Sequence, residues 1–139
     1  MKQLIYIAFF VFFVSGLNAQ NYIGLHKSEI KKRMKTEFPK YGFDKEIDNG
    51  NKSFVKYVRG IVYPETLLFV LWDTGKCRYI LHMYEDPSKL NKIRKQFNEN
   101  YEKLQENKWL MKENDQYYEI SIEEREYFFS VITRKHELE

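Results

Sequence analysis

The sequence predicts a two-layer α+β domain in which two amphipathic helices pack on antiparallel sheet, in the order αβββ-αβββ. Three observations carry this expectation. Two stretches place apolar residues three or four apart, as a helix with one buried stripe must. Each is followed by three short runs rich in β-branched and aromatic residues, and polar turn signals separate those runs, the clearest being Asp73-Thr74-Gly75-Lys76.

The first helix is announced by Gly24-Leu25-His26-Lys27-Ser28-Glu29-Ile30, where Glu29 complements the positive helix end. Ile30, Met34 and Phe38 repeat every four residues, and Pro39 stops the helix. Lys40 to Lys52, with Gly42, Asp48, Asn49 and Gly50, reads as a connecting loop containing a short extended piece around Phe43 to Ile47. Three strands are expected next, at Ser53 to Arg59, Glu65 to Trp72 and Lys76 to Tyr84. Leu67 to Trp72 is wholly apolar and reads as a central strand. In the third run, alternation groups Cys77, Tyr79, Leu81 and Met83 on one face.

Asp86-Pro87-Ser88 opens the second helix, with Asp86 as N-cap and Pro87 at the first helical position, where a missing N–H costs nothing. Its stripe is Leu90, Ile93, Phe97, Tyr101 and Leu104. Three further strands are expected at Lys108 to Lys112, Tyr117 to Glu123 and Tyr127 to Arg134, and the tail from about residue 135 is charged. Leu68, Phe69, Leu71, Trp72, Ile93, Phe97, Tyr101, Ile120, Ile122, Phe129 and Val131 are the expected core, subject to strand parity.

Residues 1–19 read as a secretory signal peptide and 20–139 as a single soluble domain. Lys2 supplies the positive n-region, and Leu4 to Val14 form an apolar run shorter than the about 20 residues that span a bilayer. Ala19 fits the position before the cut, which makes Gln20 the new N-terminus. No cysteine precedes Cys77, so a lipid-bearing cysteine after the apolar run is absent and no stable membrane anchor is expected once the signal is removed. The expected location is periplasmic or extracellular.

Composition narrows the function classes. The formal charge of +3 is small, and acids and bases are interspersed, which argues for a solvated surface and against a nucleic-acid partner. A single cysteine excludes an internal disulfide framework, so packing must hold the fold. Catalysis has little to work with. The imidazoles are His26, His82 and His136, and strand alternation separates His82 from Cys77; no Ser-centred, phosphate-binding, dinucleotide or His-Glu-x-x-His motif occurs. The local cluster His82-Met83-Tyr84-Glu85-Asp86 matches no metal-site spacing. No catalytic, cofactor-binding or metal-binding residue is therefore assigned, and no cofactor is expected.

Gly24, Leu25, Glu29, Ile30 and Met34, followed by a strand meander with an Asp-Thr-Gly-Lys turn, resemble the opening of small exported proteins of the SmpA/OmlA type and of β-lactamase-inhibitor-protein-like domains. The likeness covers the first half of the mature chain. His26 replaces the capping hydroxyl, Arg33 and Lys35 replace an apolar residue and a glycine, and the lipoprotein cysteine is missing. The resemblance implies a non-catalytic envelope domain that binds other proteins. A protein-binding or structural module is thus the leading expectation, with Tyr57, Tyr63, Tyr117 and Tyr127 as candidate partner-binding aromatics. The alternative is a small secreted hydrolase whose carboxylates, such as Glu65, Asp73, Glu85 and Asp86, meet only in the fold. A pocket converging on those acids favours the second reading; an exposed aromatic patch or an open sheet edge favours the first.

Overall fold

The computed structural model describes residues 19–137. The apolar run of the expected signal peptide lies outside the described residues. Ala19 and Gln20, on either side of the expected cut, belong to a short 3-10 turn, Ala19–Tyr22. Then follow α1 (Lys27–Glu37), β1 (Gly42–Asn49), β2 (Lys52–Arg59), β3 (Glu65–Leu71), β4 (Cys77–Tyr84), α2 (Lys89–Asn100), β5 (Glu102–Gln105), β6 (Lys108–Glu113), β7 (Gln116–Glu124) and β8 (Phe129–Lys135). The strands form one antiparallel sheet in the order β1-β2-β3-β4-β8-β7-β6-β5. The protein is α+β and mostly sheet.

Each half of the chain is a helix followed by a four-stranded meander, so the expected αβββ unit gains a strand. The two meanders meet at their last strands, β4 and β8, paired from Tyr79↔Arg134 to Tyr84↔Phe129. Both added strands are outer ones. β1 occupies most of the segment read as a loop; Lys45, Glu46 and Asp48 give it the charge that blunts a sheet edge, and that charge hides a strand from an apolar-pattern reading. β5 takes residues expected to continue the second helix. That helix ends at Asn100, Tyr101 turns extended, and Glu102 and Lys103 pair with Leu110 and Trp109 of β6, leaving Leu104 exposed. The helix also starts later than expected. Asp86 accepts hydrogen bonds from the Ser88 N–H (3.0 Å) and hydroxyl (2.7 Å), forming a turn before the helix in place of an N-cap on it.

Both helices pack on one face of the sheet. Val55, Tyr57, Leu67, Phe69, Leu71, Cys77 and Ile80 form the first core with Ile30 and Met34 of α1; Trp109, Met111, Ile120, Ile122, Phe129 and Val131 form the second, with Leu90, Ile93 and Phe97 of α2 packed against it. Parity in β3 turns Leu67, Phe69 and Leu71 inward, so Leu68, expected in the core, lies on the far face. Trp72 ends outside β3 and is 50% exposed. In β4 a register shift opposite Val70 and Leu71 breaks the alternation, so Cys77 faces inward with Ile80 and His82 while Tyr79, Leu81 and Met83 point the other way. The expected grouping of Cys77 with those three residues is therefore wrong.

The start of α1 is fastened to the β3–β4 turn. His26 is the N-cap, its Nδ1 accepting from the Ser28 N–H at 3.2 Å, and Lys27 N–H donates to the Gly75 carbonyl at 2.9 Å. Gly75 has φ +84°, and a Cβ there meets His26 Nε2 at 2.9 Å, so turn geometry and the neighbouring ring both require glycine.

Candidate functional site

One end of the sheet collects most of the chemistry. The β2–β3 connection, the β4–α2 connection and the β7–β8 turn all lie there, because Arg59↔Glu65, Glu65↔Tyr84, Tyr84↔Phe129 and Glu124↔Phe129 are terminal pairs of one row. Beneath them, on the helix-covered face, a polar cluster fills the seam between the two cores. It comprises Tyr41, Glu65, His82, Tyr84 and Lys89.

The hydrogen bonds of this cluster assign one tautomer. Tyr41 O–H donates to Glu65 Oε2 at 2.8 Å, and Lys89 Nζ donates to Glu65 Oε1. His82 Nε2 lies 3.1 Å from Tyr41 Oη and 3.3 Å from Glu65 Oε2, where only a donor fits beside a carboxylate, so Nε2 carries the proton. Nδ1 then accepts from Tyr84 O–H at 3.0 Å. A neutral imidazole satisfies every partner. Burial disfavours the imidazolium and moves the His82 pKa down, against the opposing pull of Glu65. Glu65 is held far below the usual carboxylate range, first by the hydrogen bond from His82 and further by Lys89 and Tyr41, despite burial acting the other way. Burial raises the pKa of both tyrosines.

The cluster belongs mostly to the first half, and it reaches the second through Lys89 of α2 and the stacking of Tyr84 on Phe129. The side chains of Glu65 and His82 are only 10% and 9% exposed, and each polar atom already has a partner within the protein. His82 stacks on Tyr84 (4.1 Å) and Tyr84 on Phe129 (4.9 Å), which continues the seam from β4 into β8. Cys77 shares the inward face with His82 but two rows away, on the row of Leu71 rather than Leu67, and burial pushes its thiol up to about 12. No thiolate–imidazole pair results. The four acids named for a hydrolase do not converge: Glu65 is buried in the seam, Asp73 lies in the β3–β4 turn at the opposite end, Asp86 bonds its own turn, and Glu85 faces a cavity. Among the described residues, no group of three or more His, Cys, Asp or Glu is arranged to hold a metal ion.

The surface above the seam is open and apolar. Ile61 is 98% exposed, with Val62 and Tyr63 beside it in the β2–β3 connection; Tyr127 is 80% exposed, with Phe128 beside it in the β7–β8 turn. Tyr63 takes φ +54°, a conformation in which a bulky side chain is an outlier. Next to the second turn is a cavity of about 360 Å3, lined by Pro87, Leu90, Tyr127, Phe128 and Phe129 together with the exposed charged residues Glu85, Glu124, Arg125 and Glu126.

The aromatics named from the sequence fare unequally. Tyr57 is buried in the first core against Phe69 and Phe43, because β2 parity turns it inward, and it cannot contact a partner. Tyr117 is half-buried on β7, toward the opposite end. Tyr63 and Tyr127 share the apolar end. Ile61, Val62 and Phe128 were not named, although Gly60-Ile61-Val62-Tyr63-Pro64, three apolar residues between two turn formers, carried the signal. No family model matches the chain, and comparison with curated proteins and with solved structures gives no significant match.

Proposed function

We propose that this is a non-catalytic protein-binding module of the cell envelope or secretome, exported by the N-terminal segment, and that it grips its partner with the turn end of the sheet. One observation supports this most: Ile61, Val62, Tyr63, Tyr127 and Phe128 project from two connections at the same end, where an isolated domain gains nothing from exposing them. They sit in two short connections anchored at both ends by paired strands, a placement that suits recognition. The resemblance to SmpA/OmlA-type and β-lactamase-inhibitor-protein-like domains points the same way.

The test is affinity capture from the native envelope with residues 20–139, comparing the natural chain, an Ile61→Ser/Val62→Ser/Tyr127→Ala variant, and Trp72→Ala at the opposite end. A specific partner lost only with the first variant supports the reading. A partner retained by it, or a carboxylate-dependent hydrolytic activity on an envelope polymer, overturns it.

A further inference from the structure

The cavity beside the β7–β8 turn has a composition that selects one kind of side chain. Pro87, Leu90, Phe128 and Phe129 give it apolar lining, with Phe129 buried and Leu90 half-buried, and the exposed Glu85, Glu124, Glu126 and Arg125 put charge at its solvent side. Two of the mouth charges are already engaged, since Glu124 pairs with Arg94 at 3.3 Å and Arg125 pairs with Glu123 at 3.4 Å. Glu85 and Glu126 have no ion pair or side-chain hydrogen bond among the described residues, and both are solvent-exposed. An apolar slot with free carboxylates at its mouth suits a group with an apolar stem and a cationic head. Lysine and arginine bury their methylenes against apolar surface while the charged head remains toward solvent. An anionic group meets repulsion from both carboxylates. A wholly apolar group covers those charges without pairing them. At about 360 Å3 the cavity is at the small end of the roughly 300–1,000 Å3 range of ligand sites, suited to a single inserted side chain.

We infer that the partner inserts a lysine or arginine side chain into this cavity, from a segment whose neighbouring residues are apolar and cover the exposed Ile61–Tyr63 and Tyr127–Phe128 turns. This rests on the protein-binding reading above and adds the chemistry of the contact. The acidic mouth also sets the surface against anionic phospholipid, which the same charges repel.

The experiment uses residues 20–139 and three probes with the same stem: n-hexylammonium, hexanoate and n-hexanol, each titrated while backbone amide signals are followed. Hexylammonium is expected to shift the amides of Leu90 and of Glu126 to Phe129 saturably, and to bind about fivefold tighter than hexanoate or hexanol at low salt. The Glu85→Gln/Glu126→Gln variant, changed only at exposed positions, is expected to keep its spectrum and to lose that preference. Equal binding of the three probes, shifts that map elsewhere, or a preference that survives the double variant each overturns the inference. Partner capture separates the two levels: if capture still depends on Ile61, Val62 and Tyr127 while the hexylammonium preference fails, only the cationic side chain is refuted. If both fail, the binding surface itself is wrong.

Discussion

The two halves share an order of elements and differ in how their helices are held. α1 buries Ile30 and Met34 completely against β2, β3 and β4, and the 3-10 turn adds Tyr22, which packs on Phe38 and Phe69. α2 has no fully buried residue: Leu90, Ile93 and Phe97 rest half-buried on the second core, and a hydrogen bond from Trp109 Nε1 to Asn98 Oδ1 at 2.9 Å pins its last turns. Equal topology therefore does not mean equal stability, because apolar area removed from water sets the hold on a helix. The first half is the more deeply packed, and α2 is expected to open before α1.

Core truncations test this most strongly. Phe69→Ala is expected to cost about 3–5 kcal/mol, as for fully buried aromatics, and Ile93→Ala roughly half of that or less, measured by urea unfolding. Hydrogen exchange should protect the α1 amides longer than those of α2. The reverse order, or equal losses at the two sites, breaks the comparison.

The seam should register next. Glu65→Ala removes the shared acceptor of Tyr41 and His82, whose Oη and Nε2 lie 3.1 Å apart and can still pair, so one buried donor loses its partner at about 1–3 kcal/mol. Calorimetry that resolves the halves into two transitions in this variant, and one in the natural chain, sharpens the comparison; a single unshifted transition shows that the cluster does not couple them.

Gly75→Ala is expected to cost about 1–2 kcal/mol from the left-handed backbone alone, with the His26 contact added. Combining it with His26→Ala, which removes the ring, should recover part of the loss. Strict additivity in that double-mutant cycle would rule the contact out.

The smallest effect is the dependence on pH. His82 has a folded-state pKa below its unfolded value of 6.5, so the unfolded chain binds the extra proton; its contribution is complete above pH 6.5 and is lost as pH falls below it. Glu65 has the same sign from an unfolded value of 4.5, so a second loss begins below that pH. A His82→Gln variant should lack the first slope and show a weakened second one, since Lys89 and Tyr41 still hold Glu65 down, in unfolding free energies measured from pH 8 to 3.

Legibility followed the strength of the local pattern. The helices and inner strands were readable because their apolar residues repeat at 3.6 or 2 positions, as Ile30 and Met34 or Leu67, Phe69 and Leu71 do. β1 and β5 were not, because outer strands gain their stability from pairing on one side and carry charge on the other. The facing of Cys77 depended on an irregularity opposite Val70 and Leu71 that no alternation rule contains. The seam cluster was invisible for another reason: Tyr41, Glu65, His82 and Lys89 lie far apart in the chain; β3–β4 pairing brings Glu65 near His82, and the packing of the segment before β1 and of α2 adds the other two. Tyr63 and Tyr127 were found by position near turns, and the same rule misplaced Tyr57, which parity buries.

The pairing of β8 with β4 has a consequence for how the chain is made. The last of these eight strands to leave the ribosome belongs in the middle of the sheet, between β4 and β7. Until it arrives, a finished first half presents β4 as a raw border, with unpaired backbone along Tyr79 to Tyr84 open to the wrong neighbour. Vectorial synthesis thus completes this molecule from its outside inward, and a premature stop that removes only Phe129 onward cuts the sheet at its centre rather than trimming an edge.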